Sequence, residues 1–195
     1  MTNQNVLALF LLAFAPSLAT AQVPAAGDKS HAPEVALEYN YVRSNAPPGQ
    51  CDCFSLNGGS LSIAKPLGSG RFAGVFDAGF EHGSVDGYDL TLSSFTGGLR
   101  YRPLLRPRWN PFGQVLVGVA HASGSLVDGR TPAAYDSALT FASVIGGGLD
   151  YRMLGHWTIR AVEGDYLLTT YSNGDNNHQN NLRLSAGVVY RFGRR

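Results

Sequence analysis

Residues 181–192 read NLRLSAGVVYRF, and their alternation decides how the whole chain is read. Leu182, Leu184, Ala186, Val188, Tyr190 and Phe192 share one parity, while Arg183, Ser185, Gly187 and Arg191 take the other. Successive side chains of a strand point to opposite faces, so this period of two predicts a strand with one apolar face and one polar face. Inside it lies a pentamer, Gly187 to Arg191, that recurs at Gly98 to Arg102 and Gly148 to Arg152. Each copy runs Gly, two residues, Tyr, Arg.

Working outward, the same alternation returns seven more times. In EVALEYNYV (34–42), Val35, Leu37, Tyr39 and Tyr41 oppose Glu34, Ala36, Glu38 and Asn40. FSLNGGSLSIAK (54–65) follows, with a break of parity at Gly58 and Gly59 that suggests a bulge. In RFAGVFDAGFEHG (71–83), Phe72, Phe76 and Phe80 oppose Arg71, Asp77 and Glu81. LSSFTGGLRYR (92–102), FGQVLVGVAHAS (112–123) and FASVIGGGLDYR (141–152) follow the pattern; WTIRAVEGDYLLT (157–169) is the least regular. Helical periodicity is missing.

The connections differ in length. PLGSG (66–70), PLLRPRW (103–109) and LGH (154–156) are short. SNAPPGQCD (44–52), SVDGYDL (84–90), GSLVDGRTPAAYDS (124–137) and SNGDNNHQ (172–179) are longer and polar. Outer-membrane barrels sort their loops in this way, with short periplasmic turns and longer external loops. A soluble sandwich has no reason to do so. The expected fold is all-β: an eight-stranded antiparallel up-and-down transmembrane β-barrel over residues 34–193.

Composition agrees. The net charge of +1, with 15% charged residues, leaves no basic footprint for nucleic acid. The 24 Gly follow no G-X-Y period, which excludes collagen and favours strands and turns tolerant of Gly. At the N-terminus, the apolar run Val6 to Ala15 is shorter than the about 20 residues a membrane helix needs. The small-residue signature Ala19-Thr20-Ala21 closes it, so residues 1–21 are expected to be a cleaved signal peptide. Residues 22–33 are expected to be a flexible leader.

The barrel explains the pentamer. Each copy ends an even-numbered strand, which places Tyr101, Tyr151 and Tyr190 outward at one membrane border, where amphipathic rings settle. Phe72, Phe112 and Trp157 begin odd strands at the same border and extend this aromatic girdle. The Gly of each copy faces inward, where a narrow barrel needs small side chains. Also inward are Glu38, Arg71, Asp77, Glu81, Arg100, Asp150, Arg160, Glu163, Asp165 and Arg183. Buried charges must be paired, and this set is roughly balanced in sign, so the lumen is expected to be plugged by ion pairs.

With these features the chain resembles the small eight-stranded outer-membrane barrels of the OmpA-like transmembrane-domain and opacity-protein type. The resemblance covers residues 34–193. It implies an outer-membrane location in a Gram-negative-type envelope, contact with outer-membrane lipid and lipopolysaccharide, and a structural or surface-contact role without cofactor. It also implies that Phe192, within VVYRF, is the aromatic signal for the barrel assembly machinery, although Gly193, Arg194 and Arg195 follow it here.

Two other functions compete. Some such barrels are lipid A deacylases with a His-x-Ser pair on the outer face, and His121 and Ser123 share parity with Val119. A serine hydrolase also needs an acid to orient its His, and neither Asp128 nor Asp136 has a recognisable spacing. A narrow porin is the third reading, decided by whether the inward charges close the lumen. Cys51 and Cys53 suggest a disulfide in an exported protein, free thiols being the alternative; two thiolates fall short of a zinc site, and no metal is expected. DNNHQNN (175–181) reads as a solvated loop tip, and the external partner is unassigned.

Overall fold

The computed structural model describes residues 32–44, 54–85, 88–103, 108–124, 136–171 and 178–193. The expected signal peptide, most of the leader, Cys51, Cys53 and Asp128 lie outside them. Eight strands follow one another: β1 (Glu34–Ser44), β2 (Phe54–Leu67), β3 (Phe72–Val85), β4 (Tyr88–Tyr101), β5 (Trp109–Gly124), β6 (Asp136–Arg152), β7 (Trp157–Thr169) and β8 (Gln179–Arg191). Each pairs antiparallel with the next, and β8 returns to pair with β1, closing the barrel. Closure leaves no edge of unpaired backbone donors and acceptors, which is what permits a sheet to stand in hydrocarbon.

The alternation runs inside out relative to a soluble protein. Leu37 is 62% exposed, Ile145 59% and Val115 55%, whereas Arg100, Arg160 and Arg183 on the opposite face are at most 2% exposed. A soluble fold would bury the first group and solvate the second. Among the described residues no helix is long and apolar enough to cross a membrane; this chain crosses with strands.

The pentamers gain a physical reason from the ladder. A Cβ on Gly98 would meet the carbonyl oxygen of Val115 at 2.2 Å, and one on Gly187 would meet that of Leu37 at 2.1 Å. Both glycines sit where the neighbouring backbone comes too close for any side chain, which holds the narrow barrel's curvature.

Several expectations require correction. No bulge interrupts β2 at Gly58 and Gly59, because its register with both β1 and β3 is continuous there. The apparent break in parity arises because the inward face itself changes from Ser60 and Ser62 to the buried Leu56. The irregularity lies in β7, where the register shifts between Arg160 and Glu163. The loop expected over residues 84–90 is largely ladder: β3 and β4 stay paired out to Val85 and Tyr88.

Arg71 is not a lumen residue. It is exposed at the end of the turn before β3, where Gly68 and Gly70 take positive φ; its carbonyl still accepts from Arg102 N–H at 2.7 Å, but it stands one step outside the paired strands. Phe112 is not a girdle residue either. It is 5% exposed and shares the inward face of β5 with Gln114 and Leu116. The strand begins three residues earlier than expected, so the aromatic at the border is Trp109.

Candidate functional site

The lumen has two sections. Toward the border that carries the start of β1 and the end of β8 it is ionic. Toward the opposite end it is apolar, with Val42, Leu56, Leu92, Leu116, Val144 and Leu167 packed in one buried cluster. On β1, β4, β5, β6 and β7 the polar inward residues take the half nearer the first border, whereas β3 puts Ala73 and Val75 there and Asp77 and Glu81 beyond them.

The ionic section centres on Arg160. Its Nε donates to Asp150 Oδ1 at 2.9 Å and its Nη1 to Glu163 Oε2 at 2.8 Å, and it also bonds Glu38 on β1. The bulge in β7 makes this possible. Ala161 and Val162 both face outward, so Arg160 and Glu163, three residues apart, both face inward. Below the guanidinium lies Phe112, its ring centroid 4.6 Å from Arg160 Cζ and 4.4 Å from Arg100 Cζ. Two cations over one ring use its negative face, so Phe112 serves the network as an apolar acceptor of charge.

Gln114 links the parts. Its Oε1 accepts from Arg100 Nη2 at 2.8 Å, while its Nε2 donates to Glu163 Oε1 at 2.8 Å and Asp165 Oδ1 at 3.2 Å. Arg183 then joins Asp165 at 2.8 Å and Asp77 on the far wall at 3.0 Å. Glu81 Oε1 accepts from Asn40 Nδ2 at 2.7 Å, but Glu81 Oε2 is buried without a partner. At the mouth, Glu34 accepts from both Arg102 and Arg191.

The structure therefore brings together nine of the ten inward residues that alternation selects: Glu38, Asp77, Glu81, Arg100, Asp150, Arg160, Glu163, Asp165 and Arg183 are all buried, and Arg71 is the exception. Glu34, Asn40, Arg102, Gln114 and Arg191 complete the network beyond those ten. Parity already put each of them inward; a border position and neutral amides gave no reason to single them out. The expected balance of sign is also corrected. Glu38, Asp77, Glu81, Asp150, Glu163 and Asp165 face Arg100, Arg160 and Arg183, with Arg102 reaching Asp150 at 3.9 Å, because Arg71 stays outside. The amides of Asn40 and Gln114 supply part of the missing donation.

The other candidates are dispersed. His121 and Ser123 lie on the outward face of β5 and are partly exposed; their register partners are Ser93 and Leu139, and Thr91 and Ser137. No described carboxylate lies within ion-pair distance of His121. Tyr101, Tyr151 and Tyr190 each meet an aromatic residue of the preceding strand: Phe72 at 4.9 Å, Trp109 at 4.6 Å and Trp157 at 5.0 Å between ring centroids. Phe192 packs edge-on against Tyr190 at 4.9 Å, and its backbone N–H donates to Pro33. Among the described residues, no cluster of His, Cys, Asp and Glu could hold a metal ion.

A closed antiparallel ladder, an apolar exterior and a charged interior define an integral outer-membrane β-barrel protein. The profile of the outer membrane protein β-barrel domain family matches residues 7–192, and the chain belongs to that family. Its fold is similar to that of Neisserial surface protein A, at a TM-score of 0.63 and 13% identity over 82% of this chain and 97% of that one. It is also similar to Ail, the attachment invasion locus protein of Yersinia pestis, at 0.57 and 15% identity over 83% and 99% of the two chains. OprG of Pseudomonas aeruginosa follows at 0.50 and 16% over 86% and 99%. None of the curated protein sequences matches the chain.

Proposed function

We propose that this protein is a non-catalytic structural and surface-contact component of the outer membrane, with a lumen closed to ions. One observation carries the reading. Arg100, Arg160 and Arg183 fill the centre of the barrel at 2% exposure or less, and carboxylates or amides from several strands tie them across it. Opening a path would strip these guanidiniums of partners in a low-dielectric interior, which breaking a buried pair makes costly by about 3–5 kcal/mol. The exterior meets outer-membrane lipid and lipopolysaccharide, the assembly machinery receives Phe192, and residues 1–21 are removed during export. The external loops carry whatever surface contact the protein makes.

The test is conductance. Purified protein in planar bilayers should give no steady channel; a stable, ion-selective one would establish the narrow-pore reading instead. The deacylase reading has a separate check, since His121 and Ser123 face outward on one strand. His121→Ala and Ser123→Ala should leave the acyl pattern of lipid A, read by mass spectrometry of expressing cells, unchanged. Deacylation by the parent that either variant loses would make the protein an enzyme.

A further inference from the structure

Where the lumen opens at the border of the chain termini, three guanidiniums line one cavity: those of Arg102, Arg152 and Arg191. All three take the inward parity of β4, β6 and β8, so they face the mouth of the barrel and not the bilayer. Glu34 and Asp150 line the same cavity, yet neither serves Arg152. One oxygen of Glu34 accepts from Arg102 at 2.5 Å and the other from Arg191 at 2.9 Å. Asp150 accepts from Arg160 through both oxygens, at 2.9 and 3.5 Å. No described carboxylate stands within ion-pair distance of the Arg152 guanidinium.

The mouth therefore gathers three cations around one carboxylate of its own, since Asp150 belongs to Arg160 and meets Arg102 only at 3.9 Å. Two positive charges are left over in a recess where Arg102 is buried and Arg152 and Arg191 are half-buried. Repulsion among like charges held this close is relieved by an anion between them. Glu34 already pins two of the three guanidiniums, so the recess is preorganised. Thr158 stands directly across the β6–β7 ladder from Arg152 and lines the same recess, adding a hydroxyl donor.

We infer that this mouth binds a water-borne phosphoryl group, gripped by Arg152 and Arg191 with Thr158 donating its hydroxyl. The planar fork of a guanidinium matches phosphate oxygens in pairs. A dianion matches the two surplus charges, whereas a carboxylate would answer only one of them. The short turns lie at this border, so the ligand enters from the periplasmic side. Inorganic phosphate and a soluble phosphomonoester share this chemistry.

The experiment titrates inorganic phosphate into the refolded barrel in zwitterionic micelles at constant ionic strength, followed by calorimetry, with glycerol phosphate and acetate in parallel. Phosphate should bind saturably, and acetate about tenfold more weakly or worse. Arg152→Gln, checked for heat-modifiable migration, should weaken phosphate binding by about tenfold, the effect of losing a charge-assisted contact. Arg108→Gln is the control: that side chain is exposed and does not line the cavity, so binding should hold. Tighter binding of glycerol phosphate than of inorganic phosphate would assign the site to a phosphomonoester, and the reverse order to free phosphate; both carry the inference. No saturable binding up to about 10 mM phosphate would overturn it. So would acetate binding as tightly as phosphate, or undiminished affinity in a folded Arg152→Gln barrel. Should Arg152→Gln fail to fold, Thr158→Val decides, since it removes one hydroxyl from the recess: weaker phosphate binding supports the site, and unchanged binding overturns it.

Discussion

Arg160 and Glu163 meet at 2.8 Å inside the barrel although they lie three positions apart on one strand. An unbroken period of two would put them on opposite faces, one in lipid. The outward pair Ala161 and Val162 absorbs the extra residue, and the register with β6 and β8 shifts at that point. A bulge here is what turns an ordinary strand into the hub of the lumen, since Arg160 also reaches Asp150 on β6 and Glu38 on β1.

Removing the hub should be expensive, and removing a surplus charge should not. Arg160→Met leaves Glu38 buried without its cation and Asp150 and Glu163 with only Arg102 and Arg100 at 3.9 Å, and is expected to lower the unfolding free energy by about 3–5 kcal/mol. Glu81→Gln keeps the acceptor used by Asn40 and removes a charge whose second oxygen has no partner. It is expected to lie within about 1 kcal/mol of the parent or to stabilise it. Urea unfolding in lipid vesicles, followed by Trp fluorescence, compares the two; an Arg160→Met barrel as stable as the parent would remove the hub.

Phe112 separates a lumen role from a girdle role. As an interior ring beneath two guanidiniums, its replacement in Phe112→Ala opens a cavity and is expected to cost about 3–5 kcal/mol. Phe72→Ala, at the border, gives up chiefly a ring pair with Tyr101 and should cost about 0.5–1.5 kcal/mol beyond its lost lipid contact. Equal costs in the same titration would argue against the interior assignment.

Gly187 tests the seam that closes the barrel. In Gly187→Ala the new methyl would stand 2.1 Å from Leu37 O and 2.7 Å from Glu38 Cα, both backbone atoms that cannot turn away. The β1–β8 ladder must part, at about 1–3 kcal/mol. Gly74→Ala is the control, because nothing lies within 4 Å of its added carbon. The urea midpoint should fall for the first substitution and hold for the second.

Assembly should depend on the end of β8 more than on the loops. Tyr190 and Arg191 register with Val35 and Glu34, and Phe192 N–H reaches Pro33 O, one step beyond the strand ladder. Removing residues 190–195 is expected to abolish insertion, since unpaired backbone groups in hydrocarbon cost several kcal/mol each. Phe192→Ala should slow it, and removing Arg194 and Arg195 alone should change little. Heat-modifiable migration and protease accessibility in cells read the outcome; normal insertion of the six-residue truncation would contradict the role given to β8.

Much of this architecture is legible in the linear chain because a strand in a membrane barrel obeys a local rule. Each residue faces either lipid or lumen, and neighbours along the strand take turns, so Leu182, Leu184 and Val188 declare one face and Arg183 and Ser185 the other without reference to any partner. The Tyr of each pentamer is legible for the same reason, since its position at a strand end suffices to put it at the border. The lumen is different. Parity puts Arg160, Glu38 and Asp150 inside, but their meeting depends on the stagger of three strands, two of them distant in sequence from the third. Where the local rule lapses, the tertiary structure alone decides. The turn at Gly68 and Gly70 releases Arg71 to solvent and the bulge at Ala161 reverses parity in mid-strand, whereas Phe112 keeps the inward parity of Gln114 and the earlier start of β5 gives the border to Trp109. Alternation fixes which way a side chain points; only the closed ladder fixes what it finds there, because register is a property of pairs of strands and not of either strand alone.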